Sequence, residues 1–325
     1  MEKIKFLTMA ALATAFFASC SNEDGLPQSN YPADNVVRIT TSVDGMNTRA
    51  SYGGSTAKLS SFGFCINNAG SDKYTYDNIK VTQENGKWNP ATQMLWQNST
   101  TAVDILAYAP YQANGNVKIL GKSDYAFSVQ ENQNTADDYS SDLIVYKQTG
   151  FTPGLELNTN HAVDVSFTHL LSQLNLTIEL RDQFNQDEKK PVTEATVTDV
   201  KVNGTIISSK VDFSASPISV QVDDTQEATA ITPETTEFKA AGKTTDHAAF
   251  NYSAIVIPQT VTAGNFSISF KVDGTDYIWT STSDVNFVSG NKHQLSLLVG
   301  KDVVQVKGIT ATPWGKETII EKETD

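Results

Sequence analysis

The sequence predicts an all-β chain built of sandwiches behind a secretion leader, and three observations carry that prediction. Apolar residues recur with a period of two in run after run, as in Val37, Ile39, Thr41 and Val43, or Phe266, Ile268, Phe270 and Val272. The runs are rich in Val, Ile, Thr, Tyr and Phe, side chains that suit a pleated, half-buried surface. No long segment repeats at the helical period, and turn signals such as Asn85-Gly86 and Asp273-Gly274 punctuate the chain at the spacing of short strands.

The leader comes first. Lys3 and Lys5 precede an apolar run from Phe6 to Ser19 that is too short to span a bilayer, so residues 1–19 read as a secretion signal. Small residues Ala18 and Ser19 then meet Cys20, which resembles a bacterial lipobox. The resemblance implies cleavage between Ser19 and Cys20 and acylation of Cys20, as a palmitate-type anchor. The alternative is an ordinary signal with a chance cysteine. Ser21 to Gly25 is a short acidic run that resembles the surface-export address of Bacteroidetes lipoproteins, and residues 20–34 make a Pro/Ser/Asn-rich tether. No other stretch is long and apolar enough to cross a membrane, so lipid on Cys20 is the expected attachment to the outer membrane.

The strands follow. Asn35 to Val43 alternates, with Val37, Ile39, Thr41 and Val43 on one face, and Asp44-Gly45 ends it. Leu59–Ile66 is the next strand. In its FGFCI stretch Cys65 lies opposite Phe62, Phe64 and Ile66, which predicts a small buried thiol; with Cys20 acylated, no intrachain disulfide is available. Residues 74–83 and the segment from Lys87 flank Asn85-Gly86 as a hairpin. Shorter strands are expected at 103–109, 125–129 and 143–146. The Gly/Pro/Asn-rich stretch 150–160 predicts a connector, dividing the body into an N-terminal sandwich over 35–155 and a C-terminal one over 156–325. In the second half Ala162–Leu180 alternates with a phase shift at His169–Ser172, which predicts a bulge or a helical turn. Further strands are expected at 197–202, 254–257, 266–272, 277–279, 294–299 and 303–309, before a charged tail.

Chemistry-bearing patterns are few. The net charge of −13 disfavours non-specific binding to nucleic acid. None of His161, His169, His247 and His293 stands in a zinc or catalytic spacing, and there is neither a nucleophile elbow nor a phosphate loop. The chain is therefore not expected to be an enzyme or to carry a cofactor or metal. His169 reads as a packed or capping histidine. The acidic pairs Asp137-Asp138, Asp223-Asp224 and Asp273/Asp276 read as solvated loops and turns. Trp88, Trp96, Trp279 and Trp314 are expected to serve core packing, a sugar-stacking surface being the rival reading.

Arg49 is one of three arginines and lies in an aperiodic polar stretch, NTRAS, of the kind where proteolytic nicking concentrates. Together with GKW at Gly86–Trp88, LW at Leu95-Trp96, DILAYAPY at Asp104–Tyr111, SFTHLLSQLNL at Ser166–Leu176, FVSGNKHQLSLLV at Phe287–Val299 and VKGITATPW at Val306–Trp314, the chain resembles the Bacteroidetes fimbrillin family of Mfa-like, type V pilin subunits. The resemblance implies two tandem transthyretin-like β-sandwich domains. It implies a surface lipoprotein of the outer membrane or fimbrium, cut by an arginine-specific protease between Arg49 and Ala50. Loss of the first strand then opens a groove that a neighbouring fimbrillin subunit fills, giving a head-to-tail polymer that meets host or bacterial surface glycan or protein. Exposed strand edges are templates for such pairing. Val304, Val306, Ile309, Ile319 and Ile320 repeat the alternation and are the candidate donor strand; the short charged tail after Trp314 departs from the family pattern. Two rivals stand beside this: a tip or anchor subunit that keeps its lipid, and a glycan-binding surface lipoprotein.

Overall fold

The computed structural model describes residues 29–43, 58–113, 118–135, 138–184, 191–241 and 247–314. The leader, Ser19, Cys20, the Arg49-Ala50 bond, Ile319 and Ile320 lie outside the described residues.

Strands in chain order are β1 (Arg38–Val43), β2 (Ser61–Asn67), β3 (Tyr76–Glu84), β4 (Lys87–Pro90), β5 (Val103–Ala109), β6 (Tyr125–Ser128), β7 (Ile144–Phe151), β8 (Ala162–His169), β9 (Ser172–Leu180) and β10 (Val197–Asn203). They continue as β11 (Ser208–Asp212), β12 (Ser219–Val222), β13 (Glu234–Lys239), β14 (Ala248–Val256), β15 (Gln259–Val261), β16 (Ser267–Val272), β17 (Thr275–Thr280), β18 (Val285–Phe287), β19 (Asn291–Gly300) and β20 (Val303–Pro313). A single turn of helix, α1 (Pro153–Glu156), separates β7 from β8. The all-β class is thus as the periodicity predicts. Both two-residue hairpin turns form as read: Asn85 and Gly86, and Asp273 and Gly274, all have positive φ, the conformation such turns require.

Seven strands make one sheet in the order β1-β8-β7-β5-β2-β3-β4. Its two ends approach each other, because the segment after β4 returns to the start of β1: Val36 bridges Leu95, and Val37 N–H donates to Met94 O at 3.0 Å. The rolled sheet encloses a core of Phe62, Phe64, Ile105, Val163, Val165 and Phe167, among others, with Phe62 set edge-on to Phe167 at 5.4 Å. The second half carries a five-stranded sheet, β13-β14-β9-β19-β20, together with sheets β10-β16-β17 and β12-β11-β6 and the pair β15-β18.

Two expectations are corrected. The phase shift at His169–Ser172 is neither a bulge nor a helical turn. It is a change of sheet: β8 belongs to the first sheet and β9 to the second, with Leu170-Leu171 between them. The division at residues 155 and 156 consequently falls inside the first sheet's chain, because β8 still pairs with β1 and β7. The halves also exchange an element, since β6 pairs with β11. Outward-facing Cys65, Leu106, Tyr108 and Val145 of the first sheet share a core with Tyr125, Phe127 and Phe213, and Tyr108 lies 5.6 Å from Phe213. Lys147 Nζ ties the two halves further by donating to the carbonyls of Phe213, Ser214 and Ala215.

Candidate functional site: the seam around the first strand

β1 closes the rolled sheet, and its two edges are bonded unequally. Along β8 it runs parallel in unbroken register from Arg38 opposite Ala162 to Val43 opposite Phe167. On its other side only the residues leading into it are held, by the bond from Val37 to Met94 and by Trp96 N–H donating to Asn35 O at 2.8 Å. From Ile39 onward that side of the strand has no ladder among the described residues. β1 is therefore an edge strand for most of its length, fixed to the fold chiefly through one neighbour.

Its faces divide as the alternation predicts. Val37, Ile39 and Val43 are 3%, 7% and 6% exposed and join the enclosed core beside Met94, Trp96, Val163, Val165 and Phe167. Thr41 occupies the same face half-buried, with no hydrogen bond for its hydroxyl among the described residues. The outer face is polar and clasped to β8 and to the β7–β8 connector. Thr40 Oγ1 donates to Asp164 and accepts from Asn158 Nδ2, and Ser42 pairs with Ser166 at 3.0 Å.

The segment before β1 is strapped to the same connector. Ser29 Oγ donates to Gly154 O, Asn30 Nδ2 to Leu157 O, and His161 Nδ1 to Asn30 O at 2.7 Å. Asp34 lies in a bidentate bond with the Arg38 guanidinium. That bond, helped by the Val36 N–H, holds its carboxyl down at about 2. None of these polar contacts is visible as a motif. Their nearest sequence signal is the run Asn158-Thr159-Asn160-His161, where Asn158 folds a turn by accepting from the N–H groups of Asn160 and Ala162.

The other residues singled out by sequence lie elsewhere. Val304, Val306 and Ile309 stand on β20, at the outer edge of the five-stranded sheet and paired with β19. His169 is packed, with Nδ1 2.9 Å from Asp142 Oδ1 and its ring stacked on Trp314 at 3.9 Å. The core-packing reading of the tryptophans holds for Trp96 and Trp314, which are buried; Trp88 and Trp279 are half-buried, packed on Phe62 and Phe266. Asp138 and Asp223 cap turns by accepting from Ser140 and Thr225, and Asp273 sits in a hairpin turn. Burial raises the Cys65 thiol well above the ordinary range, as befits an inert core cysteine.

The comparisons agree with this architecture. Among solved structures, the chain is similar to a candidate cell adhesion protein from Bacteroides ovatus, at 12% identity with a TM-score of 0.60, covering 87% of this chain and 98% of that one. It is also similar to a candidate cell adhesion protein from Bacteroides uniformis, at 18% identity and TM-score 0.55, covering 86% and 100%. A third similar structure is a fimbrial protein from Bacteroides vulgatus, at 16% identity and TM-score 0.51, covering 85% and 99%. At such identities these likenesses speak for the fold. No curated protein matches the chain. The sequence profile described as fimbrillin-like matches residues 48–314, starting just beyond β1. The chain belongs to the fimbrillin-like family.

Proposed function

We propose that this fimbrial subunit travels as a lipoprotein acylated on Cys20, is cut between Arg49 and Ala50, and polymerises when a segment of a sibling replaces β1. The observation that carries the reading is the seam itself: an apolar edge strand, buried on its core face yet laddered along one side only. Burying Val37, Ile39 and Val43 contributes on the order of 1.5–3 kcal/mol each. Losing them uncovers β8 and the core beneath, and a strand of like alternation restores both ladder and cover. The start of the family match at residue 48 supports treating β1 as separable from the rest. Head-to-tail replacement yields an open filament at the cell surface. Val304, Val306 and Ile309, continued by Ile319 and Ile320, are the donor this reading favours. Partners are then other fimbrillin subunits, an arginine-specific protease and, before maturation, the outer membrane.

Treatment of the full chain with an arginine-specific protease is expected to give a new N-terminus at Ala50 and larger assemblies by size-exclusion chromatography. Arg49→Ala should stay monomeric; if it assembles like the parent, the activation step is wrong. A terminal subunit that keeps its lipid is the second reading, favoured by the polar straps on Ser29, Asn30 and Asp34 that hold the tether end of β1 in place. Protein recovered from fimbriae still beginning at Cys20 would decide for it.

A further inference from the structure

A polar cleft opens in the second half where two segments diverge. β10 meets the stretch before β13 at one bridge, in which Val202 and Ile231 exchange both backbone bonds, at 2.8 and 2.9 Å. Past that bridge no ladder among the described residues links 198–201 to 233–235. Both flanks are irregular: the register of β10 slips between Thr198 and Lys201, and that of β13 between Thr235 and Glu237. Asp199 takes up the slip in β10 with a φ of 54°, so that Thr198 and Asp199 are both exposed between buried Val197 and Val200. Bulges of this kind re-aim side chains and interrupt pairing beside functional sites. The space so made is about 480 Å³. Small-molecule sites span roughly 300–1,000 Å³.

The lining holds an uncommitted donor. Tyr252 of β14 is 5% exposed, yet its hydroxyl has no hydrogen-bond partner among the described residues and is not sealed from solvent. Buried polar groups are ordinarily bonded, and the little surface this side chain keeps opens on the cleft. Burial, and then the nearby Glu194 carboxylate, push its phenol upward, so the hydroxyl keeps its proton and can donate. The groups around it are already oriented. Lys201 Nζ donates to Thr232 Oγ1 at 2.5 Å. Asn134 Oδ1 accepts from the Thr235 N–H at 3.1 Å, which leaves its NH2 group as a donor.

We propose that this cleft binds one neutral pyranose unit of a glycan, with Tyr252 donating to its hydroxyls and Glu194 accepting from them. Neutrality follows from the charges: Asp199 pairs with Lys271 at 2.9 Å, and Lys201 offsets Glu194. A sugar hydroxyl is both donor and acceptor, which suits a lining that offers both within one ring's reach. Buried Pro233 and Val197 supply an apolar flank for the C–H face of such a ring. No residue of β1 or β8 lines the cleft, so the proposal stands or falls apart from strand replacement.

The test is saturation-transfer NMR on the full chain carrying Cys20→Ser, with the methyl glycosides of glucose, galactose, mannose and N-acetylglucosamine. At least one is expected to bind with a Kd on the order of 1–10 mM, the scale set by so few atoms. Tyr252→Phe should weaken that binding at least about fivefold while leaving the urea midpoint unchanged, since no bond within the protein is lost. Glu194→Ala, at an exposed position, should weaken it about tenfold. Transfer to none of the four sugars, or equal affinity in the parent and both variants, overturns the proposal. So does a lowered midpoint in Tyr252→Phe, which would give its hydroxyl a partner inside the fold. Binding of putrescine with no binding of any glycoside would make this a cation site and would equally overturn it.

Discussion

The first and last strands of the described chain invite comparison. Both alternate, both lie at the edge of a sheet, and both turn an apolar row toward the core side. Their surroundings differ. β1 is covered because its sheet rolls until the segment Met94–Trp96 meets it, so Val37, Ile39 and Val43 are sealed between β8 and that returning segment. On β20 the row is half in water. Two strands of like alternation are thus buried to different extents, so the pattern of a strand does not by itself decide its burial. An edge strand whose core face is sealed is a plug whose removal is costly and creates a binding surface. One whose core face is open is already a binding surface.

The comparison breaks most visibly under a charge. Ile39→Asp would bury an unpaired carboxylate in the enclosed core, a mechanism that belongs to the large class of destabilisations; a cost of about 4 kcal/mol or more is expected in urea denaturation of the precursor. Ile309→Asp, on the same kind of face, should cost under about 1 kcal/mol, because its carboxylate keeps its water. Similar costs at the two positions would show that the two rows are equally covered. The contrast would then be lost, and with it the view of β1 as the sealed member of the pair.

A smaller effect sharpens what holds β1 besides its apolar row. Thr40→Val keeps shape but removes the hydroxyl that joins Asn158 to Asp164 across the β1–β8 seam. About 1 kcal/mol of precursor stability is expected to go, the usual net value of a hydrogen bond whose partners can still reach water. Thr310→Val on β20, for which no side-chain bond is described, should change denaturation little. A Thr40→Val protein as stable as the parent would mean that the polar clasp is incidental and that burial alone retains the plug.

How much of this was legible in the chain follows from whether the cause is local. The inward face of β1 could be read from Val37, Ile39 and Val43 because side-chain period is a property of one strand. Asn85-Gly86 and Asp273-Gly274 could be read because a hairpin turn is written in two residues. The partner of β1 could not, since β8 lies more than a hundred residues on and parallel pairing leaves no turn to announce it. Nor could the passage from one sheet to the other. The Gly/Pro/Asn-rich stretch 150–160 looks like a boundary but stays with the first sheet, whereas the true crossover is the apolar pair Leu170-Leu171, whose phase shift reads as a local bulge or helical turn and not as a change of sheet. The straps on Ser29 and Asn30 and the open strip on β20 depend on elements brought together only by folding.

The smallest expected effect concerns acid. Asp34 precedes β1 and is held by Arg38, with its carboxyl depressed from the usual value near 3.8 to about 2. A carboxyl lowered in the folded state stabilises above its unfolded pKa, and that contribution is lost as pH falls through the folded value. The pin is therefore intact above about pH 4 and gone near pH 2. Both side chains are largely solvated, so salt should screen the effect and its size should be small. The place to look is the entry of β1, where amide exchange of Val36 and Val37 reports local opening without requiring the whole fold to yield. Between pH 4 and 2, after correction for intrinsic exchange, opening should become more frequent in the parent. In Asp34→Asn it should already be elevated at pH 4 and change less on acidification. Parallel profiles for the two proteins would show that Arg38 does not pin the strand through Asp34, leaving the hydrogen bonds to Met94 and Trp96 as what fixes its start.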